Sequence, residues 1–163
     1  MYISTKTFDN FSVALRQHRA KHSHCQLLHG YAFKIKVWFG SNESLEENQL
    51  DDMNWVVDFG GFKTQPLGNG LKDWLDYMFD HTTLIEKTDP YLELFQQMEQ
   101  MSLLHLRVIE KMGAESLAKL VFDKFNDVLS KTDASRCRVV KVELWENEKN
   151  SAIFLKNLKY LVV

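Results

Sequence analysis

The stretch HGYAFKIKVWFG, residues 29–40, alternates between two kinds of side chain over most of its length. Successive side chains of an extended backbone point to opposite faces. One face would therefore carry Lys34 and Lys36, and the other an aromatic and apolar row. That row consists of His29, Tyr31, Phe33, Ile35, Val37 and Phe39. The pattern predicts a long strand with one buried face.

Other segments divide into strand-like and helix-like patterns. Alternation predicts strands at FSVALRQH (11–18), NWVVDF (54–59), LLHLRVIE (103–110) and RVVKVELWE (138–146). Spacing of three and four residues predicts helices over 71–78, 90–101 and 114–131, and residues 41–52 read as a polar loop. Strands mixed with helices, without a regular strand-helix-strand rhythm, predict an α+β fold with a largely antiparallel sheet. The length of 163 residues suits a single domain, 1–163.

Composition narrows the classes of partner. The chain has 20 basic and 22 acidic residues and a formal charge of −2, which argues against a nucleic-acid partner and favours a small-molecule ligand. No apolar run approaches the roughly 20 residues that span a bilayer, and MYISTKTFDN has no apolar signal core. We therefore expect a cytoplasmic protein without a membrane partner. Cys25 and Cys137 are too few for a disulfide framework, which fits a reducing compartment.

Residues 18–31, HRAKHSHCQLLHGY, contain four of the six histidines and one of the two cysteines. A tight loop between two strands would bring His18 near His29, with His22, His24 and Cys25 on the loop. Zinc binds imidazole nitrogen readily, and a catalytic zinc has three protein ligands and an open position. The alternative is a surface loop rich in histidine by chance, or imidazoles that bond to the backbone. Cys25 is either a small buried side chain or a thiolate favoured by its neighbours.

Five segments resemble, in order, motifs of the family of 6-pyruvoyl-tetrahydropterin and 6-carboxytetrahydropterin synthases. They are CQLLHGY (25–31), WVVDFGGFK (55–63), FDHTTLI (79–85), GAESLAKLVFD (113–123) and WENEKNSAIF (145–154). These are similar to the family's C-x3-H-G-H signature, its strand-ending Asp-Phe segment, its Asp-His-x-x-Leu motif, its Thr-x-Glu-x-Leu-Ala helix start and the segment whose Glu anchors the pterin. Asp58 and Phe59 match the second motif. The likeness spans most of residues 8–154.

The resemblance implies a tunnelling fold, with an antiparallel sheet and helices packed on one face. It also implies a homo-oligomer, a hexamer, with active sites between subunits. The implied function is a zinc-dependent 6-carboxytetrahydropterin synthase, which acts on 7,8-dihydroneopterin triphosphate in queuosine biosynthesis. The alternatives are a 6-pyruvoyl-tetrahydropterin synthase or another lyase of the pterin side chain, and a non-catalytic oligomer that binds pterin or metal. A site that had lost its catalytic activity would have no reason to keep all the matching polar residues, which argues against the non-catalytic oligomer.

The resemblance also implies roles for individual residues. Cys25 would be the catalytic base, and the pair Asp80 and His81 a proton relay. Glu146 would bind the adjacent N–H donors of the pterin ring. Zn2+ would be held by histidines and would acidify the substrate's hydroxyls, with His18 and His29 matching the first two ligands.

Simpler interpretations stay open for several of these residues. Asp80 could end a helix, His81 could be a partly buried polar side chain, and Glu146 could form a structural ion pair. Three further basic residues near the histidines could meet a triphosphate, or could form a solvated basic edge. They are Arg16, Arg19 and Lys21.

The chain departs from the family pattern at three places. Tyr31 stands where the third zinc-binding histidine is expected, and Gly113 stands where the family has Thr. The region 85–110 is longer than in compact members. Because a phenol with a pKa near 10 is a poor substitute for imidazole, we expect His24 to complete the zinc site, with His22 as the second choice. Tyr31 would then bond a ligand or fill the vacated space. The alternative is a site of two histidines with weak metal affinity and little activity.

Overall fold

The computed structural model describes residues 2–41, 50–62, 70–131 and 136–156. Its strands are β1 (Ile3–Leu15), β2 (His29–Ser41), β3 (Thr82–Glu86), β4 (Leu106–Ile109), β5 (Cys137–Trp145) and β6 (Ser151–Leu155). Its helices are α1 (Leu71–Phe79), α2 (Leu92–Gln100) and α3 (Ala114–Ser130). Within these residues, no helix has both the length and the apolar character needed to cross a bilayer.

One sheet contains all six of these strands in the order β4-β3-β1-β2-β5-β6. The strand predicted at 29–40 is β2, which pairs antiparallel with both β1 and β5. The β5–β6 pair is also antiparallel, whereas β1–β3 and β3–β4 are parallel. The α+β fold class is confirmed, and the two parallel pairs make the sheet mixed.

The core lies between one face of the sheet and the helices α1 and α3. The alternation predicted for β2 is confirmed, because Phe33, Ile35, Val37 and Phe39 are all fully buried. They pack with apolar residues of both helices in one cluster, among them Leu75, Leu117 and Phe125. Helix α2 covers the other side of the sheet, where Phe95 packs on Ile85 and Leu106.

Several predicted boundaries were wrong, each for a local reason. Residues 54–59 form turns instead of a strand, because the Asp51 carboxylate accepts the N–H groups of Met53 (3.0 Å) and Trp55 (2.8 Å). His18 does not end a strand, because β1 stops at Leu15. All five residues of β3 are buried, so this strand shows no alternation in the sequence and was missed, as was the short β6. Most of the loop predicted at 41–52, namely 42–49, lies outside the described residues.

Candidate active site

The loop between β1 and β2 is folded back on itself by short-range hydrogen bonds. Leu15 and His29 face each other across the two strands, so the loop begins and ends at the same end of the strand pair. The N–H of Gln17 donates to the Cys25 carbonyl oxygen at 2.7 Å. Ser23 Oγ accepts the Cys25 N–H at 3.2 Å and caps the short 3-10 helix His24–Gln26. These bonds hold Cys25, with its partly exposed thiol, beside the start of β2.

His29 and Tyr31 lie on the same side of β2 and contact each other. The His29 Nδ1 is 2.7 Å from the Leu27 carbonyl oxygen, which leaves Nε2 as the nitrogen available to a ligand. The two ring centroids are 5.1 Å apart with an interplanar angle of 88°. The Tyr31 ring also stacks on Phe33, with centroids 6.4 Å apart. The Tyr31 ring is therefore fixed between two neighbours on its own strand.

Two carboxylates complete the site. Glu146 directly follows β5, and Glu115 lies in the first turn of α3. Burial and the nearby Glu115 carboxylate raise the pKa of Glu146, while the His29 imidazole acts in the opposite direction. Partial burial, the Glu146 carboxylate and a Cys25 thiolate raise the pKa of Tyr31.

Together these five residues, Cys25, His29, Tyr31, Glu115 and Glu146, form what we call the β2–β5 cluster. The structure thus brings three predicted site residues, Cys25, His29 and Glu146, into one place. Glu115 was missed as a site residue, although it stands in the quoted helix-start motif. The sequence could have indicated Glu115, because a carboxylate in the first turn of a helix lies close to the preceding loop.

Gly113 explains one departure from the family pattern. It precedes α3 with φ of +125°, a backbone conformation that a side chain with a Cβ rarely adopts. A Cβ built there would lie 3.4 Å from Glu115 Oε2 and 3.5 Å from Gln17 Nε2. Glycine therefore permits the backbone of this chain to turn beside the β2–β5 cluster, where a threonine would be strained.

His18 lies beside a buried carboxylate. Its Nδ1 is 3.9 Å from Asp89 Oδ2, and the same oxygen is 2.8 Å from the Arg16 Nε. His22 and His24 are exposed. Nowhere in the part of the chain that the structure describes do three His, Cys, Asp or Glu side chains form a group that could hold a metal ion.

The donor set therefore does not fit the implied zinc site. At the positions of the family's three ligands it offers His18, His29 and a phenol, and a phenol is not among the imidazole, thiolate and carboxylate ligands that zinc takes. Among the described residues, the thiol and carboxylates of the β2–β5 cluster form no group of three with His29 that could replace it. The assignment of His24 or His22 as a third ligand stays a prediction.

Asp80 and His81 form a pair at the end of α1. His81 Nδ1 is 3.0 Å from Asp80 Oδ1, which also accepts the Ser12 N–H at 3.3 Å. Burial alone would raise the pKa of Asp80, but the bonds from Ser12 and His81 outweigh it and hold the pKa below its ordinary value. The His81 side chain is 79% exposed.

This pair does not reach Cys25 within one chain. Asp80 is beside Ser12, whereas Cys25 is beside Gln17, five residues further along β1 and its extension. Since a strand advances about 3.3 Å per residue, the part of β1 from Ser12 to its end at Leu15 alone separates them by roughly 10 Å. A proton relay between the pair and Cys25 would thus require a second chain.

Of the three predicted basic residues Arg16, Arg19 and Lys21, one, Arg19, lines a cavity of about 700 Å³, together with Gln17 and His18. Lys87 and Lys111 also line it, while Arg16 is turned to Asp89. Arg19 is also paired with Glu86 at 2.8 Å. Cys137, in contrast to Cys25, is a core residue, and burial raises the pKa of its thiol to about 12.

Comparison with known proteins places the chain in a family. The sequence profile described as 6-pyruvoyl tetrahydropterin synthase matches residues 3–157. A 6-carboxy-5,6,7,8-tetrahydropterin synthase from Aquifex aeolicus (strain VF5) is 30% identical over 131 residues, which are 78% of this chain and 74% of that protein.

Solved structures support the same fold. An uncharacterized protein from Wolinella succinogenes superposes with a TM-score of 0.74 at 20% identity, covering 96% of this chain and 98% of that one. The 6-pyruvoyl tetrahydropterin synthase of Caenorhabditis elegans superposes with a TM-score of 0.57 at 22% identity, with the same coverage of 96% and 98%. Since the profile spans nearly the whole chain and the order of its motifs is preserved, this protein belongs to the 6-pyruvoyl tetrahydropterin synthase family.

Proposed function

We propose that this chain is a 6-carboxytetrahydropterin synthase. It would convert 7,8-dihydroneopterin triphosphate to 6-carboxytetrahydropterin, with release of acetaldehyde and triphosphate, as a step of queuosine biosynthesis. The single observation that supports this best is the β2–β5 cluster, in which a partly buried carboxylate lies near an imidazole and a phenol, and the phenol in turn lies near a thiol. The name of the Aquifex relative supports the carboxy-forming reaction over the pyruvoyl-forming one.

Glu146 is the proposed anchor of the pterin ring. A pterin carries adjacent ring N–H and amino donors, which a carboxylate accepts in bidentate fashion. No ion pair of Glu146 with a lysine or arginine is found among the described residues, so a structural ion pair does not account for this carboxylate. Its raised pKa is consistent with a carboxylate that awaits N–H donors, because burial without a partner is costly.

Cys25 is the proposed base. Its backbone is bonded to Gln17 shortly before β2, and its thiol lies near Tyr31, which also lies near Glu146. The side-chain carbons of a pterin anchored on Glu146 would lie in this place. The cavity beside Arg19 and Lys111 offers space and basic side chains for the triphosphate. The ring, the reacting carbons and the phosphates would then lie in sequence across the ends of neighbouring strands.

Asp80 and His81 are proposed to act on a site in another copy of the chain. Their exposure and their distance from Cys25 support a homo-oligomer in which two chains complete each site. A hexameric assembly and a cytoplasmic location stay predictions that rest on the resemblance and on composition. Zinc dependence also rests on the resemblance, and none of the steps above uses a metal.

The deciding experiment is incubation of the purified protein with 7,8-dihydroneopterin triphosphate, followed by mass analysis of the products. Formation of 6-carboxytetrahydropterin together with acetaldehyde supports the proposal. Formation of 6-pyruvoyl-tetrahydropterin would identify the alternative synthase, and binding without conversion would indicate a non-catalytic pterin-binding oligomer. The variant Cys25→Ala serves as the control for a contaminating activity.

A further inference from the structure

Tyr31 occupies a defined position in the site that a histidine could have filled. Its ring is on the same side of β2 as His29, with the edge of one ring against the face of the other. Stacking on Phe33 fixes the opposite side of the ring. The ring is thus held by two neighbours and only partly buried, and Glu146 and Cys25 both lie close enough to its hydroxyl to raise its pKa.

The two histidines that match the family's first two zinc ligands, His29 beside Tyr31 and His18 on the preceding loop, retain features of metal ligands. The Leu27 carbonyl holds the His29 Nδ1, and a backbone carbonyl or carboxylate in this place orients metal-binding imidazoles in many proteins. His18 has a carboxylate, that of Asp89, 3.9 Å from its Nδ1. What is missing is an imidazole at position 31, the place of the family's third ligand.

The loop does not supply that donor. His22 and His24 are exposed, and the loop is held by the Gln17 to Cys25 bond of 2.7 Å and by the Ser23 cap. To turn His24 inward, the chain would have to break the cap of the 3-10 helix that also positions Cys25. A movement that brings in a ligand would therefore displace the proposed base.

We propose that Tyr31 replaces the third zinc ligand as a hydrogen-bond donor to the substrate, and that this chain consequently binds zinc at least about 10-fold more weakly than its Tyr31→His variant. The proposal has two halves: the substrate half is the hydrogen bond from Tyr31 to the substrate, and the metal half is the weak zinc binding. The substrate half rests on the proposed function, whereas the metal half does not. The nearest bound atoms of a pterin anchored on Glu146 would be its ring and the first atoms of its side chain, which are rich in acceptors.

The metal half is tested with the full-length protein and zinc alone, by competition against a chromophoric chelator. Wild type, His22→Ala and His24→Ala should bind zinc equally weakly, and Tyr31→His should bind it at least about 10-fold more tightly. Cobalt(II) gives a second measurement, because only Tyr31→His should show the intense visible bands of a tetrahedral site. Circular dichroism establishes that each variant is folded before its affinity is compared.

Two results would overturn the metal half. One is tight zinc binding by wild type that is lost in His24→Ala or His22→Ala, which would place an imidazole of the loop in the ligand set. The other is a folded Tyr31→His that binds zinc no better than wild type.

The substrate half is tested with Tyr31→Phe, which keeps both ring contacts and removes only the hydroxyl. We expect turnover of 7,8-dihydroneopterin triphosphate to fall about 10-fold or more, with zinc affinity and unfolding midpoint unchanged. Turnover equal to wild type would refute the substrate contact. If no variant, wild type included, converts the substrate, the proposed function and the substrate contact both fail, while the metal comparison still decides the other half.

Discussion

Replacing Glu146 by glutamine should weaken pterin binding by about 10- to 150-fold. The carboxylate presents two acceptors to two adjacent donors, whereas the amide keeps one acceptor and turns its NH2 toward the second donor. One charge-assisted bond is lost and one donor is left without an acceptor, which costs about 1.5–3 kcal/mol. The partial burial of the site limits compensation by water, so the larger part of this range is expected.

The same substitution should stabilise the unliganded protein. The pKa of Glu146 is raised in the folded state above its ordinary value of 4.5, so the folded state holds the proton more tightly than the unfolded state. That contribution to stability is complete below the unfolded pKa and is lost as the pH rises through the folded pKa. Glu146→Gln should therefore exceed wild type in free energy of unfolding at about pH 7 and equal it in acid.

Both effects can be measured on the same samples. Titration calorimetry with an unreactive pterin such as neopterin gives the affinity, and urea unfolding at two pH values gives the stability. Glu143→Gln is the matched control, because Glu143 lies on β5, three residues before Glu146, and already accepts the Ser151 hydroxyl at 2.8 Å. Unchanged neopterin affinity in Glu146→Gln, or an equal loss in both variants, would refute the reasoning.

Three further predictions concern other residues. Cys25→Ala should abolish turnover while neopterin affinity and oligomer size stay unchanged, and a parallel loss of neopterin affinity, measured by calorimetry, would contradict its role as the base. Equal mixtures of Cys25→Ala and His81→Asn chains, refolded together, should regain about a quarter of the active sites, since half of the chains carry each intact residue. Asparagine is chosen because it suits the positive φ of 53° at His81. No recovery of turnover would argue against sites shared between chains. Glu86→Gln should cost about 1–3 kcal/mol at neutral pH, because the carboxylate accepts from Thr88, Arg19 and the Met112 N–H. These partners outweigh burial and lower the pKa of Glu86 below 4.5. The stabilisation is therefore complete above pH 4.5 and is lost as the pH falls through the folded pKa. If urea unfolding shows that Glu86→Gln loses as much free energy of unfolding in acid as at neutral pH, the prediction is contradicted.

The amphipathic elements could be predicted because each carries its information locally. The alternation of β2 and the helical spacing of Leu117, Val121 and Phe125 are the direct consequence of burying one face of a strand or helix. The order of the five motifs likewise lies in the sequence, and it led to the family. Strand β3 escaped prediction because both of its faces are buried, which removes the periodic signal.

The composition of the site was decided by contacts between residues far apart in the chain. Residues 18–31 place several donors side by side in sequence, but the cap at Ser23 and the end of β1 at Leu15 direct His24 to solvent and His18 toward Asp89. Cross-strand register brings Glu146 to the cluster, and the turn at Gly113 brings Glu115 there. The sequence by itself determined which chemical groups this protein has and which elements carry them. Only the tertiary structure decided which groups meet, because a side chain's neighbours across a sheet depend on register and loop closure, and neither leaves a local pattern.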